Sequence, residues 1–100
     1  MLVYVDIDET ICTGAFNGNY EDSVPLEPRI DKINKLYQKG HTIVYWTARG
    51  TKTGKNWYQV TAAQLNAWGA LYHELRMGKP AYDLFIDDKN ISSKRYFADV

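Results

Sequence analysis

Apolar and polar positions fall into short blocks along this chain, and the blocks change period. Leu2-Val3-Tyr4-Val5 is a continuous apolar run, the pattern of a central strand in a parallel sheet. Pro28 opens a helix at a position that tolerates a missing N–H, and Ile30, Ile33, Leu36 and Tyr37 follow at helical spacing until Gly40 closes it. Arg29, Asp31, Lys32, Lys35 and Gln38 make its solvated face. His41 to Trp46 reads as a second strand. Trp57, Val60, Gln64, Leu65 and Trp68 then give a second amphipathic helix ended by Gly69. Thr61-x-x-Gln64 also fits a capping box that would restart this helix at Thr61, although one helix from about Trp57 is the preferred reading. Residues 71–77 form a weak strand at a sheet edge, and Tyr82 to Ile86 a further short strand ending in Asp87-Asp88. The tail offers Ser92 or Ser93 as a helix cap ahead of Tyr96 and Phe97, and no further strand.

Strands alternating with helices imply an α/β domain with a mostly parallel sheet and right-handed crossovers. At 100 residues the chain reads as one domain, residues 1–100, able to bury roughly two-thirds of its unfolded surface. Residues 11–25, with two Gly, two Asn and a terminal Pro, read as a loop or a small hairpin turning at Asn17-Gly18 between Phe16 and Tyr20. Basic and acidic residues balance at twelve each, so no bulk field draws the chain to nucleic acid or an anionic membrane. One cysteine, Cys12, excludes an internal disulfide and suits a reducing compartment. With no basic leader and no run near the ~20 apolar residues that span a bilayer, the expectation is a soluble cytoplasmic protein. Eight Tyr and three Trp are a high aromatic load for this length, which a second subunit would cover.

The chemistry concentrates where the first strand ends. In Asp6-Ile7-Asp8-Glu9-Thr10, two carboxylates at spacing two point the same way from a still-extended chain. They leave the sheet at its carboxyl end, where open α/β sheets bind ligands. Close carboxylates repel unless a cation or a proton relieves them, so the stretch asks for a metal, a catalytic proton or both. Thr47-Ala48-Arg49-Gly50 follows the second strand, and the planar fork of Arg49 suits either phosphate or a structural ion pair. Trp57 and Trp68 read as core or interface rather than stacking platforms. His73 reads as partly buried more readily than as a site residue, and His41 lies at the wrong end of its strand.

Asp-x-Asp-x-Thr after an apolar strand resembles the first motif of the haloacid dehalogenase (HAD) superfamily, mostly magnesium-dependent phosphatases. Three further motifs follow in order: Thr47 after the second strand, Lys79 in Gly-Lys-Pro, and Asp87-Asp88 after Leu84-Phe85-Ile86. The resemblance implies a minimal, Rossmannoid three-layer sandwich with strand order 3-2-1-4, helices on both faces, no cap domain, and residues 11–25 as a flap. It implies Asp6 as nucleophile forming an aspartyl-phosphate, Asp8 as acid and base, and Thr47, Arg49 and Lys79 on the phosphoryl group. Mg²⁺ would be held by the Asp6 carboxylate, the Asp8 carbonyl and one of Asp87 and Asp88, with Asp88 favoured. The Trp-Thr-Ala-Arg-Gly run and its neighbours are similar to small bacterial HAD proteins of capsular or surface-polysaccharide synthesis. That implies a sugar phosphate or similar small monoester as substrate and a homo-oligomer. The alternatives are a nucleic-acid end-processing phosphatase, using Lys52, Lys55, Trp57 and Tyr58, or a non-catalytic phospholigand-binding module.

Overall fold

The computed structural model describes the backbone of residues 1–100 and every side chain but that of Phe16. Strands β1 (Leu2–Val5), β2 (Thr42–Trp46) and β3 (Glu74–Arg76) lie side by side in that order, all parallel. Leu2 pairs with Thr42 and Val5 with Tyr45, while Val44 and Trp46 pair with Glu74 and Arg76. The crossovers are α1 (Glu27–Gln38) and α2 (Tyr58–Ala67), and a single turn, α3 (Ser93–Tyr96), comes last. Pro28 sits in the first turn of α1, as its missing N–H requires. α2 begins at Tyr58 without interruption, so Thr61 is interior to it and caps nothing.

Side chains alternate in burial on β1 and β3, whereas Ile43, Val44 and Tyr45 of the central β2 are all buried. Val5, Ile43, Tyr45 and Leu75 enter one core together with Ile30 and Ile33 of α1, Leu65 of α2 and Phe97 beyond α3. The opposite face presents Leu2, Tyr4, Glu74 and Arg76 to solvent. This corrects the three-layer expectation: helices cover one face, not both. The reason is topological. Two right-handed crossovers stepping in the same direction put α1 and α2 on the same side. After β3 comes the single turn α3, and its neighbour Phe97 joins the same core, so the other face gains no helix from it.

The fourth strand is a second correction. Tyr82 to Ile86 lies outside the three-stranded sheet, and β1 is an edge strand instead of an interior one. Among the described residues, positions 80–91 make no backbone-to-backbone hydrogen bond. Strand propensity records how well a side chain fits a half-buried pleated surface, and it cannot provide the partner. The ends of this stretch are held elsewhere. The Lys79 amide donates to the Thr47 carbonyl at 3.0 Å, and Ser92 caps α3, whose neighbour Phe97 is in the core.

Residues 11–25 are closed at the base by Thr13 N–H to Val24 O at 2.9 Å and Leu26 N–H to Ile11 O at 2.9 Å. Between them stand two 3₁₀ turns, Phe16–Gly18 and Tyr20–Asp22, where a hairpin was one expectation. Asn17 and Gly18 both take positive φ, as a tight turn there demands. Whether Phe16 flanks that turn with its side chain lies outside the described residues. No helix is long and apolar enough to cross a membrane among the described residues.

Two buried hydroxyls, those of Ser23 and Tyr45, have no hydrogen-bond partner among the described residues. An unmet buried hydroxyl costs about 1–3 kcal/mol, so Tyr45→Phe should raise the urea midpoint by about 1 kcal/mol of stability. A lowered midpoint would show that the hydroxyl is satisfied in solution.

Candidate active site

At the end of β1 the chain turns sharply. Thr10 and Ile11 amides both donate to the Ile7 carbonyl, at 3.1 and 2.9 Å, and Glu9 takes a left-handed φ of 61°. Ile7 is fully buried, which anchors the turn and leaves Asp6 and Asp8 on the same, outward side. Each of the two carboxylates then has its own cation. Asp6 Oδ1 accepts from Lys79 Nζ at 3.2 Å and Oδ2 from the Thr10 hydroxyl at 3.0 Å. Asp8 is gripped by Arg49 with two parallel bonds, Nη2 to Oδ1 at 2.8 Å and Nε to Oδ2 at 3.0 Å. Mutual repulsion of the acids is thus relieved by two built-in charges.

Arg49 is the most connected side chain of the site, and its side chain is 0% exposed. Its remaining nitrogen, Nη1, donates to Thr61 Oγ1 at 3.1 Å and Gln64 Oε1 at 2.6 Å. Gln64 in turn donates from Nε2 to the Tyr20 carbonyl at 2.7 Å, and the Tyr20 ring lies 4.7 Å from the guanidinium carbon. Arg49 makes the ion pair that was one of its two readings, and it also lines the groove above Asp8. Thr61 and Gln64, three apart on one face of α2, are the guanidinium's acceptors. In the sequence their spacing read only as an alternative capping box, with one helix from about Trp57 preferred. Thr10 and Tyr20 were also missed as polar partners; the Thr10 signal was present in the Asp-x-Asp-x-Thr string itself.

Thr47 is buried at the end of β2, and its Oγ1 accepts the Arg49 amide at 3.1 Å. Its own proton has no acceptor among the described residues, so it is free to be donated into the groove. Lys79 loses hydration by burial, but Tyr82 and the Asp6 carboxylate outweigh that and raise the ammonium above its ordinary value, so it stays charged at neutral pH. Cys12 is different. Burial first, and then the Asp8 carboxylate, push its thiol up to about 12, which removes it as a nucleophile. His73 is structural: its Nδ1 accepts the Ile43 amide at 3.1 Å and its ring stacks on Tyr37. His41 Nδ1 meets the N-terminal amine at 2.8 Å, at the far end of the sheet.

Asp6, Asp8, Thr47 and Arg49 open onto one groove of about 720 Å³, lined also by the flap residues Gly14, Ala15 and Asn17 to Tyr20 and by Lys52 and Lys55. A smaller hollow of about 130 Å³ adjoins it behind Trp57. Trp57 itself is taken up by Tyr20, edge to face at 4.9 Å, and by Lys55, whose Nζ sits 4.3 Å from its ring. Gly50 turns the 50–55 loop with φ of 81°, and a Cβ there would overlap the Lys55 carbonyl oxygen.

Asp87 and Asp88 do not join this group. Both are exposed, the Lys89 amide donates to Asp87 Oδ1 at 2.9 Å, and that bond with the adjacent Asp88 holds the Asp87 carboxyl below its ordinary value. No cluster of three or more His, Cys, Asp or Glu able to hold a metal occurs among the described residues. Of the set expected to hold Mg²⁺, Asp6 and Asp8 therefore lie at the groove, while Asp87 and Asp88, one of which would complete it, lie away from it.

Arg49→Lys keeps a charge but loses the fork, leaving Thr61, Gln64 and one Asp8 oxygen without their donor. It should cost about 3 kcal/mol in urea unfolding, the scale of a broken buried pair. An unchanged midpoint would mean that Asp8 and α2 do not depend on it.

Comparison with known proteins adds the fold alone. No protein-family model matches the chain, and no curated protein does either. A crystal structure of a structural-genomics target from Vibrio cholerae is similar over 99% of this chain and 88% of its own, with a TM-score of 0.86 at 24% sequence identity. The chain shares that protein's compact α/β architecture.

Proposed function

We propose that this chain is a phosphomonoester hydrolase that works through an aspartyl-phosphate on Asp6, acting on a sugar phosphate or similar small polar ester. The observation that carries the reading is the setting of Asp6. Its carboxylate stands at a strand end, one oxygen on an ammonium and the other on a hydroxyl, at the floor of a groove of about 720 Å³. That volume is within the roughly 300–1,000 Å³ of metabolite pockets. The ordered motifs from Asp6 to Lys79 supply the residue types the reaction needs.

Asp6 attacks phosphorus in line, an O–P bond forms, the ester O–P bond breaks, and the leaving oxygen takes a proton. Water then attacks the same phosphorus and breaks the Asp6–phosphorus bond, releasing inorganic phosphate and restoring the carboxylate. Lys79 Nζ and the free proton of Thr47 face the non-bridging oxygens, whose charge they offset. Asp8 is the candidate to protonate the leaving group and later deprotonate water. For that it must turn from Arg49, which holds both its oxygens. Mg²⁺ belongs to the proposal because the resemblance implies it, as charge neutralisation between Asp6 and phosphate. Its ligands are incomplete within one chain as arranged.

The small-ester reading is favoured over nucleic-acid ends by Trp57, which is only 7% exposed and has no free face on which a base would stack. A test is hydrolysis of a generic aryl phosphate with and without Mg²⁺, for the intact chain and Asp6→Asn. Metal-dependent turnover that falls at least a thousandfold in Asp6→Asn is the expected result. Turnover that survives the substitution removes the nucleophile, and metal binding with no turnover on any ester turns the reading into that of a phospholigand-binding module.

A further inference from the structure

The stretch 82–86 and the outer edge of β1 are complementary and unsatisfied. Leu84 is 74% and Ile86 86% exposed, values at which a large aliphatic side chain touches almost nothing of its own chain. Phe85 and Tyr82 are also exposed, their rings 5.2 Å apart. The backbone of the whole 80–91 segment lacks backbone-to-backbone bonds among the described residues. β1 meanwhile carries a ladder on its β2 side alone, and its Leu2 and Tyr4 side chains are exposed. An extended apolar segment beside an open, apolar edge is a pairing template.

We infer that two copies of this chain exchange these segments, the 82–86 arm of each adding as a parallel strand to the β1 edge of the other. Every copy carries both the arm and the edge, so a two-fold pair satisfies both at once, in an isologous interface. The arm's own chain is the less suitable host in this arrangement. Its two ends are fixed, by Lys79 on Thr47 and Asp6 and by Ser93 Oγ on the Glu9 carbonyl at 3.4 Å, and between them the aliphatic side chains stand clear of the sheet. The area suffices. Six large side chains per chain, with on the order of 100 Å² free on each, bring the total near the ~1,200 Å² at which stable interfaces begin.

Register follows from the alternation. Phe85 beside Tyr4 on the bare face puts Leu84 and Ile86 beside Val3 and Val5, on the core face, where burial rewards them most. The same register sets the partner's Asp87 beside Asp6. One of the two acids missing from the groove is then supplied across the interface. What the shared site does rests on the phosphatase reading; the exchange does not.

The test uses cysteine pairs in the full chain. Tyr4→Cys and Phe85→Cys are made in separate chains, both at exposed positions, with the buried, high-pKa Cys12 left in place. Mixed and oxidised, they should give a disulfide-linked species of twice 11.5 kDa that neither forms alone. Sedimentation should likewise show a dimer for the intact chain, and a folded monomer for Leu84→Asp with Ile86→Asp. A bridge that forms only inside a chain carrying both cysteines overturns the exchange in favour of closure on its own β1. A monomeric intact chain overturns it outright. Because no readout depends on turnover, failure here and failure of the Asp6 mechanism are separately visible.

Discussion

The bidentate pair between Arg49 and Asp8 is the interaction on which the rest of the site depends. A guanidinium with no exposure is tolerable only if its donors are met, since an unmet buried charge costs several kcal/mol. Meeting them recruits Asp8 from the end of β1 and Thr61 and Gln64 from α2; through Gln64 and the Tyr20 ring the flap is drawn in as well. One side chain therefore sets the distance between the strand end that carries the acids, the helix behind them and the flap above them. The groove is what remains between these three.

The second constraint is charge balance at the sheet edge. Asp6 and Asp8 share a groove because the fully buried Ile7 between them fixes the turn and each acid has a separate cation. The two pairs differ in kind. Arg49 grips Asp8 with a rigid fork of two bonds, whereas Lys79 holds Asp6 through one longer contact on a flexible stem. An acid held by one mobile ammonium and a hydroxyl remains available to an incoming phosphorus atom. This asymmetry supports Asp6 over Asp8 as the nucleophile of the proposed mechanism.

Much of this was legible from residue order. The strand runs 2–5 and 42–46, the helix opened at Pro28 and the convergence of Asp6, Asp8, Thr47 and Lys79 follow from local pattern plus the parallel crossover rule. What sequence could not provide was non-local. Tyr82 to Ile86 spells a strand, but a strand exists only against a partner, and no spacing rule names one. The single helical layer was also hidden, because it depends on residues 77–92 forming no helix after β3. Thr61 and Gln64 were visible as a pair, yet their use as guanidinium acceptors depends on Arg49, twelve residues earlier and facing them only after folding. Asp87 and Asp88 stand apart from Asp6 for the same reason as the fourth strand, since they go where that stretch goes.

The most direct test of the central claim is to look for the covalent intermediate itself. Acid quench during turnover of a reactive phosphate ester, borohydride reduction and mass spectrometry of the N-terminal peptide would report on Asp6. The account predicts homoserine at position 6, the reduction product of an aspartyl-phosphate, and none at position 8. Steady turnover with position 6 unmodified, or modification at Asp8 instead, would contradict it.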